Sequence, residues 1–311
     1  MPKTKPNDSR NKYRTMPVED RLRLVENLYI SFPRNEAALK AIKDCHSHAK
    51  LSRESEGMLI GGETGAGKTT VVKLYMKGYP RTFTTEKTIV PILYATVPVP
   101  ATCKSLVTAL LVAIGDPAAE KGSVVPQTLR LKRYLEACEV ELIILDEFQH
   151  FQDRDSLKVL KTVSDWLKVL MDESRVPIVL AGLPYSHTIL DAHGNEQLQR
   201  RFEVRIELES FEYATSSERQ DFRRFLNVID EKLPLGEKSN LADPGTAFCI
   251  YEATHGVVAN VMKLIRHATA LALETNSEKI TVENLRVAYE KRLAANNPDK
   301  ANPFDEEALA A

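Results

Sequence analysis

A chain of 311 residues, 43% hydrophobic and 27% charged, is long enough for one substantial α/β core and a smaller appended domain. A formal net charge of −1 gives no bulk signal for nucleic acid, and no apolar run reaches the roughly 18 residues that a membrane span needs. The opening MPKTKPNDSRNKYR has no apolar segment behind its charges, so no secretory signal is expected, and Cys45, Cys103, Cys138 and Cys249 are too scattered for a zinc site or a disulfide framework, which fits a reducing cytoplasm.

The two ends differ in charge. Residues 1–16 read as a basic flexible tail carrying Lys3, Lys5, Arg10, Lys12 and Arg14, and residues 295–311 as an acidic flexible tail carrying Asp299, Asp305, Glu306 and Glu307. Two readings stand for them: solvated tails, or a basic arm for phosphate and an acidic arm for a partner protein.

From Val18 to Lys43 the apolar spacing is helical, broken at Phe32-Pro33. Five strands are expected next, separated by helical stretches: Met58–Ile60, Ile89–Ala95, Leu142–Leu145, Ile178–Ala181 and Phe202–Leu208. The third and fourth are continuous apolar runs, as strands covered on both faces must be. The fifth alternates apolar and charged residues and is expected at a sheet edge. Leu157, Leu160, Val163, Leu167 and Leu170 recur at helical spacing between strands three and four. Alternating strands and helices predict a doubly wound parallel sheet with right-handed crossovers.

After Ser210 the pattern is helical only. Thr215 to Glu218 reads as a capping box, Asp243-Pro244 as a helix start, and Asn260–Glu274 and Val282–Ala294 as two further helices. The expected division is an α/β core with an N-terminal helical extension over 17–210, and a helical lid over 211–294.

Gly62-Glu63-Thr64-Gly65-Ala66-Gly67-Lys68-Thr69, followed by Thr70, satisfies G-x-x-x-x-G-K-[ST] after an apolar strand and before a helix. Its glycines let successive N–H groups turn toward phosphates, Lys68 neutralises them, and Thr69 offers a hydroxyl to Mg²⁺. The motif predicts ATP and Mg²⁺ as cofactors. Leu142–Leu145 ends in Asp146-Glu147, 78 positions beyond Lys68 (146 − 68). Alone, such an acid pair is as readily a turn or a cap. After a phosphate loop it reads as a metal-holding Asp146 and a water-polarising Glu147. Gln149 and His150 are placed to relay nucleotide state, although exposed positions are the simpler expectation.

An adjacent strand-end glutamate points to ATPases of the AAA+ kind, in which an arginine of a neighbouring subunit meets the γ-phosphate charge. The candidate is Arg200-Arg201 ahead of Phe202, with Arg201 preferred. Two groups usual in that class are missing. Ala181-Gly182-Leu183-Pro184 lacks a polar strand-end residue, and the lid has Asn260 where an arginine is common, so slow hydrolysis is expected.

The layout resembles the TniB/TnsC family of AAA+ transposition regulators of Tn7-like and Tn5053-like transposons. The resemblance covers 17–304 and rests on Phe32-Pro33-Arg34, GETGAGKTT, LIILDEFQHF, IVLAGLP, EQLQRRFEVRIEL, HGVVANVMKLIRHA and Asn302-Pro303-Phe304. It implies a bacterial, cytoplasmic ATPase bound to double-stranded DNA that self-assembles into rings or helical filaments. Its implied partners are a target selector of the TniQ kind, a DDE transposase of the TnsB/TniA kind, and the RNA-guided CRISPR complexes of some such transposons. It places DNA-backbone contacts at Lys104, Lys121 and Ser123, where ordinary surface polarity is the alternative. Two other functions fit the motifs: a replication-initiator or clamp-loader-like ATPase, and a nucleotide-switched signalling scaffold without DNA. The first usually appends a DNA-reading domain, and none is expected after the lid.

Overall fold

The computed structural model describes residues 10–48, 56–151, 157–191, 196–296 and 301–305. Two short helices open the chain, α1 (Asn11–Arg14) and α2 (Val18–Glu26). There follow α3 (Pro33–His48), β1 (Met58–Gly62), α4 (Lys68–Lys77), β2 (Thr82–Phe83), β3 (Thr88–Ile89), β4 (Ile92–Thr96), α5 (Cys103–Ile114) and α6 (Val124–Ala137). Next come β5 (Leu142–Asp146), α7 (Leu157–Ser174), β6 (Ile178–Ala181), α8 (His187–Asp191), α9 (Glu196–Arg201) and β7 (Val204–Leu208). The chain then becomes helical through α10 (Ser216–Lys232), α11 (Pro244–Thr254), α12 (Val258–Glu274) and α13 (Val282–Arg292).

These elements form two compact units, Pro33–Glu209 and Met1–Phe32 with Ser210–Ala311. In the first, five strands lie in the order β4-β5-β6-β1-β7, and every pair is parallel. Alternate residues enter opposite cores. Leu59, Leu93, Ile143, Leu145, Ile178 and Leu180 meet α5, α6 and α7 on one face, and Met58, Ile60, Leu142, Ile144 and Val179 meet α3 and α4 on the other. Both faces are covered, which is why these strands read as unbroken apolar runs.

The expected five strands are present, with two differences. Pro91 interrupts the second, so its start pairs instead as a small antiparallel hairpin, Thr82 with Ile89 and Phe83 with Thr88. Edge strand β7 begins at Val204 rather than Phe202, and it does not bury all its apolar residues: Leu208 is buried, whereas Val204 is 46% exposed.

In the helical unit, Thr215 accepts from the Glu218 N–H and Glu218 from that of Thr215, the expected capping box. Asp243 stands at the N-cap of α11 with Pro244 first in the helix, but its side chain makes no cap bond. The core gathers Phe32, Phe211, Phe222 and Phe225, with Phe211 stacked on Phe225 at 4.7 Å.

Three expected boundaries move. The sequence pattern places residues 17–32 with the α/β core; Ile30 and Phe32 instead bury among the C-terminal helices, and only from Pro33 does the chain join the sheet. The basic tail is not free along its whole length. Arg10 is buried, and its guanidinium donates to the carbonyls of Asp230 (2.5 Å), Glu237 (2.7 Å) and Leu235 (3.3 Å). Arg14 pairs with Glu237 and Glu278. Nor is the acidic tail free throughout: Phe304 is buried, 6.4 Å from the Tyr289 ring, and Asn302 donates to the Arg286 carbonyl. Lys3, Lys5, Asp299, Glu306 and Glu307 lie outside the described residues.

Replacing Arg10 by Met keeps an apolar stem but orphans three carbonyls. The expected loss is about 2 kcal/mol of unfolding free energy, read as a lower midpoint in urea. An unchanged midpoint would show that the guanidinium does not anchor this segment.

Candidate phosphate-loop site

The site stands at the C-terminal edge of the parallel sheet, where β1 and β5 deliver their last residues on the same side with β6 between them. Gly67, the N-cap of α4, has φ +105°, a left-handed conformation that glycine takes without strain. The turn it makes leaves the first N–H groups of α4 without helical partners and hence open to an anion. Glu63 and Thr64 are exposed on this loop and Thr70 in the first turn of α4, Gly65 is half-buried, and Ala66 packs beneath the loop among the residues facing α3 and α4.

Lys68 is buried at the base of the loop. Its ammonium donates to the carbonyls of Gly62 (2.5 Å) and Glu63 (3.1 Å). Burial draws its pKa below the ordinary lysine value, and Glu147, Asp146, Glu63 and Glu207 oppose that shift. The ammonium is therefore costly to bury, and the carboxylates around it offset part of that cost.

Thr69 Oγ donates to Asp146 Oδ2 at 2.8 Å, joining the loop to the end of β5. Tyr94, on neighbouring β4, donates to the same oxygen at 2.9 Å. The other oxygen, Oδ1, accepts the Glu147 N–H at 2.9 Å. A hydroxyl and a carboxylate at hydrogen-bond distance form the hard oxygen pair that Mg²⁺ accepts, so these residues fit that ion. Among the described residues no group of three or more His, Cys, Asp or Glu could hold a metal, so Thr69 and Asp146 would share it with phosphate and water.

Glu147 has φ +59°, an uncommon conformation for a residue other than glycine. After it, Phe148–Phe151 makes one 3₁₀ turn whose two phenylalanines are buried edge-to-face at 5.4 Å. Gln149 departs from the simpler expectation of exposure: it is buried, and its amide donates to Glu147. His150 bonds the Val97 carbonyl through Nδ1 at 2.8 Å.

The remaining sequence candidates lie apart from this cluster. Arg201 is half-buried and paired with Asp172 of α7, while its carbonyl accepts the Gly57 N–H at 2.7 Å. Arg200 is exposed, in a groove with Gln199, Glu203 and Arg205. Lys104 is exposed in the first turn of α5. Lys121 and Ser123 are exposed between α5 and α6, with the Lys121 carbonyl held by Arg130 at 3.1 Å.

Two residues near the site escape a reading of the sequence. Tyr94 is hidden because an aromatic in a strand reads as core; its signal is a register that sets Thr96 beside Asp146, two residues on. Glu207 reads as part of the solvent face of β7, yet it pairs in register with Gly61, where a Cβ would fall 2.0 Å from its carboxylate. Burial pushes the Glu207 carboxyl above the usual range.

A five-stranded parallel sheet of this order, with a phosphate loop after β1 and an acid pair after β5, defines an AAA+ P-loop ATPase fold. The model of the family described as bacterial TniB protein matches residues 21–213, and the chain belongs to that family. No curated protein matches it in sequence. Among solved structures it is similar to Aeropyrum pernix ORC2 in ADPNP–ADP complexes, at a TM-score of 0.62 and 16% identity over 88% of this chain and 72% of that one. It is also similar to Aeropyrum pernix ORC1 in complex with DNA, at 0.59 and 18% over 85% and 66%. Drosophila ORC bound to DNA matches at 0.57 and 12%, over 87% and 64%. The chain thus spans about two thirds of the ORC1 structure.

Tyr94→Phe removes one donor from Asp146 and keeps the ring. It is expected to cost about 1 kcal/mol in denaturant unfolding; a loss of several kcal/mol would mean that the hydroxyl holds more than this one carboxylate.

Proposed function

We propose that this chain is an ATP-dependent, sequence-nonspecific DNA-binding regulator of DNA transposition. In this reading it assembles on target DNA, links a TniQ-like target selector to a DDE transposase, and is reset by slow ATP hydrolysis. The observation that carries it is the closed Thr69–Asp146 contact, with Lys68 folded over its own loop, in a chain of the TniB family. Solved structures of similar fold that contain nucleotide or DNA lend support.

Lys68 is set to exchange its two loop carbonyls for β- and γ-phosphate oxygens, an exchange favoured by the charge it carries. Thr69 and Asp146 would hold Mg²⁺, which when bound supplies charge neutralisation at the phosphates. Glu147 accepts a proton from the attacking water. For the arginine given to a neighbouring copy, Arg200 is the exposed member of the pair, and Arg201 would first have to leave Asp172. Likeness to origin-recognition proteins favours one alternative, a replication-initiator ATPase. Binding to a transposase separates the two. Among the described residues no helix is long and apolar enough to cross a membrane.

Lys68→Ala is expected to abolish binding of a fluorescent ATP analogue, and Glu147→Gln to keep that binding while slowing hydrolysis roughly 10²-fold. Near wild-type affinity in the first variant would remove the phosphate-loop assignment.

Lys104→Ala with Lys121→Ala is expected to weaken ATP-dependent binding to duplexes of any sequence. It should also flatten the slope of log affinity on log salt by roughly 0.9 for each phosphate that is no longer neutralised. Identical affinities and slopes in a salt titration would place DNA on another surface.

A further inference from the structure

Ala181-Gly182-Leu183-Pro184, the end of β6, carries no polar side chain where ATPases of this class commonly have one. The structure supplies such a group from the turn that follows the neighbouring strand, β5. The Gln149 amide spans the two strand ends: its carbonyl oxygen accepts the Leu183 N–H at 3.1 Å, and its nitrogen donates to Glu147 Oε2. A backbone N–H can only donate, so Leu183 fixes which end of the amide is oxygen and turns the NH₂ group toward Glu147.

Three further features hold this bridge. Gln149 lies in a turn pinned by buried Phe148 and Phe151, with His150 bonded to Val97, so the side chain cannot swing away without unpacking the turn. Gly182 makes room for it. A Cβ at Gly182 would fall 2.3 Å from Ser186 Oγ and 3.0 Å from Gln149 Oε1, so a side chain there would turn Ser186 aside and press Gln149 back by a few tenths of an ångström. Finally, the Gly182 N–H donates to the Ile60 carbonyl at 3.0 Å, tying the same strand end to β1 just before the phosphate loop.

We propose that Gln149 is the positioning residue for Glu147, holding one carboxylate oxygen against the end of β6 so that the other faces the attacking water. The proposal rests on the reading of this chain as an ATPase. As the water oxygen bonds to the γ-phosphorus, a water proton passes to Glu147. The bond from the γ-phosphorus to the bridging oxygen breaks, and ADP leaves with that electron pair. An unanchored Glu147 would spend much of its time in rotamers that do not reach the water, which lowers turnover without altering how ATP is held.

The test uses the full chain with Mg·ATP, measuring steady-state hydrolysis, affinity for a fluorescent ATP analogue, and thermal melting. Gln149→Ala is expected to lower kcat about 10-fold while the analogue's affinity stays within about 2-fold. Gln149→Glu keeps an acceptor for Leu183 but loses the donor, and should lose as much. Gly182→Ala, which presses on the bridge from the other side, should lower kcat in the same direction but by less, at preserved affinity. If Gln149→Ala fails to fold, the other two variants decide. Hydrolysis that Lys68→Ala abolishes but all the Gln149 and Gly182 variants retain at wild-type kcat would overturn the proposal alone. Parallel loss of kcat, affinity and melting temperature would also overturn it, by showing a merely structural role. Wild-type protein that binds the analogue and hydrolyses no ATP would overturn the ATPase reading and this proposal with it.

Discussion

The site depends on one hydrogen bond, from the helix that follows β1 to the end of β5, a strand that is not the neighbour of β1. Thr69 follows β1, Asp146 ends β5, and β6 lies between them, yet hydroxyl and carboxylate meet at 2.8 Å. This requires that all three strands run parallel and finish at one level, and that the loop after β1 lean across the end of β6. The apolar pattern of the strands is what enforces that geometry. Side chains entering both cores from β1, β5 and β6 fix register on both faces at once, and a shift of one residue would exchange the two faces. The short linkage between loop and acid pair is thus a product of the whole sheet.

Much of this arrangement is legible in the sequence because it obeys simple rules. Continuous apolar runs announce strands buried on both sides, and the glycine-rich turn with lysine and threonine announces itself by spacing alone. The capping box at Thr215 is legible from two residues and is present with both of its bonds. Periodicity fails where structure is made by single side chains. The two-residue strands Thr82–Phe83 and Thr88–Ile89 are too short to have a period. Arg10 reads as tail charge because nothing local reveals three carbonyls more than two hundred residues away.

The same limit explains the site residues that pattern reading misjudges. Gln149 lies in a 3₁₀ turn, where burial follows no repeat, and only the tertiary fold brings Leu183 to its carbonyl. The pairing of Arg201 is equally hidden from pattern reading, because its partner, Asp172, lies on a separate helix and carries no local motif. Gly182 reads as the loss of a polar group, whereas the space it leaves is filled by Gln149 and Ser186. A polar function can thus move between adjacent strand ends, and a comparison made position by position will report it as absent.

The helical unit is discontinuous in sequence: its first strip precedes the α/β unit and the rest follows it. Arg10 finds Leu235 across 225 residues and Arg21 finds Pro234 across 213. During synthesis the N-terminal strip therefore leaves the ribosome first and docks last, after the entire α/β unit has been made and can already have folded. Until α10 and the residues after it emerge, Ile30 and Phe32 lack the core that they enter in the folded unit.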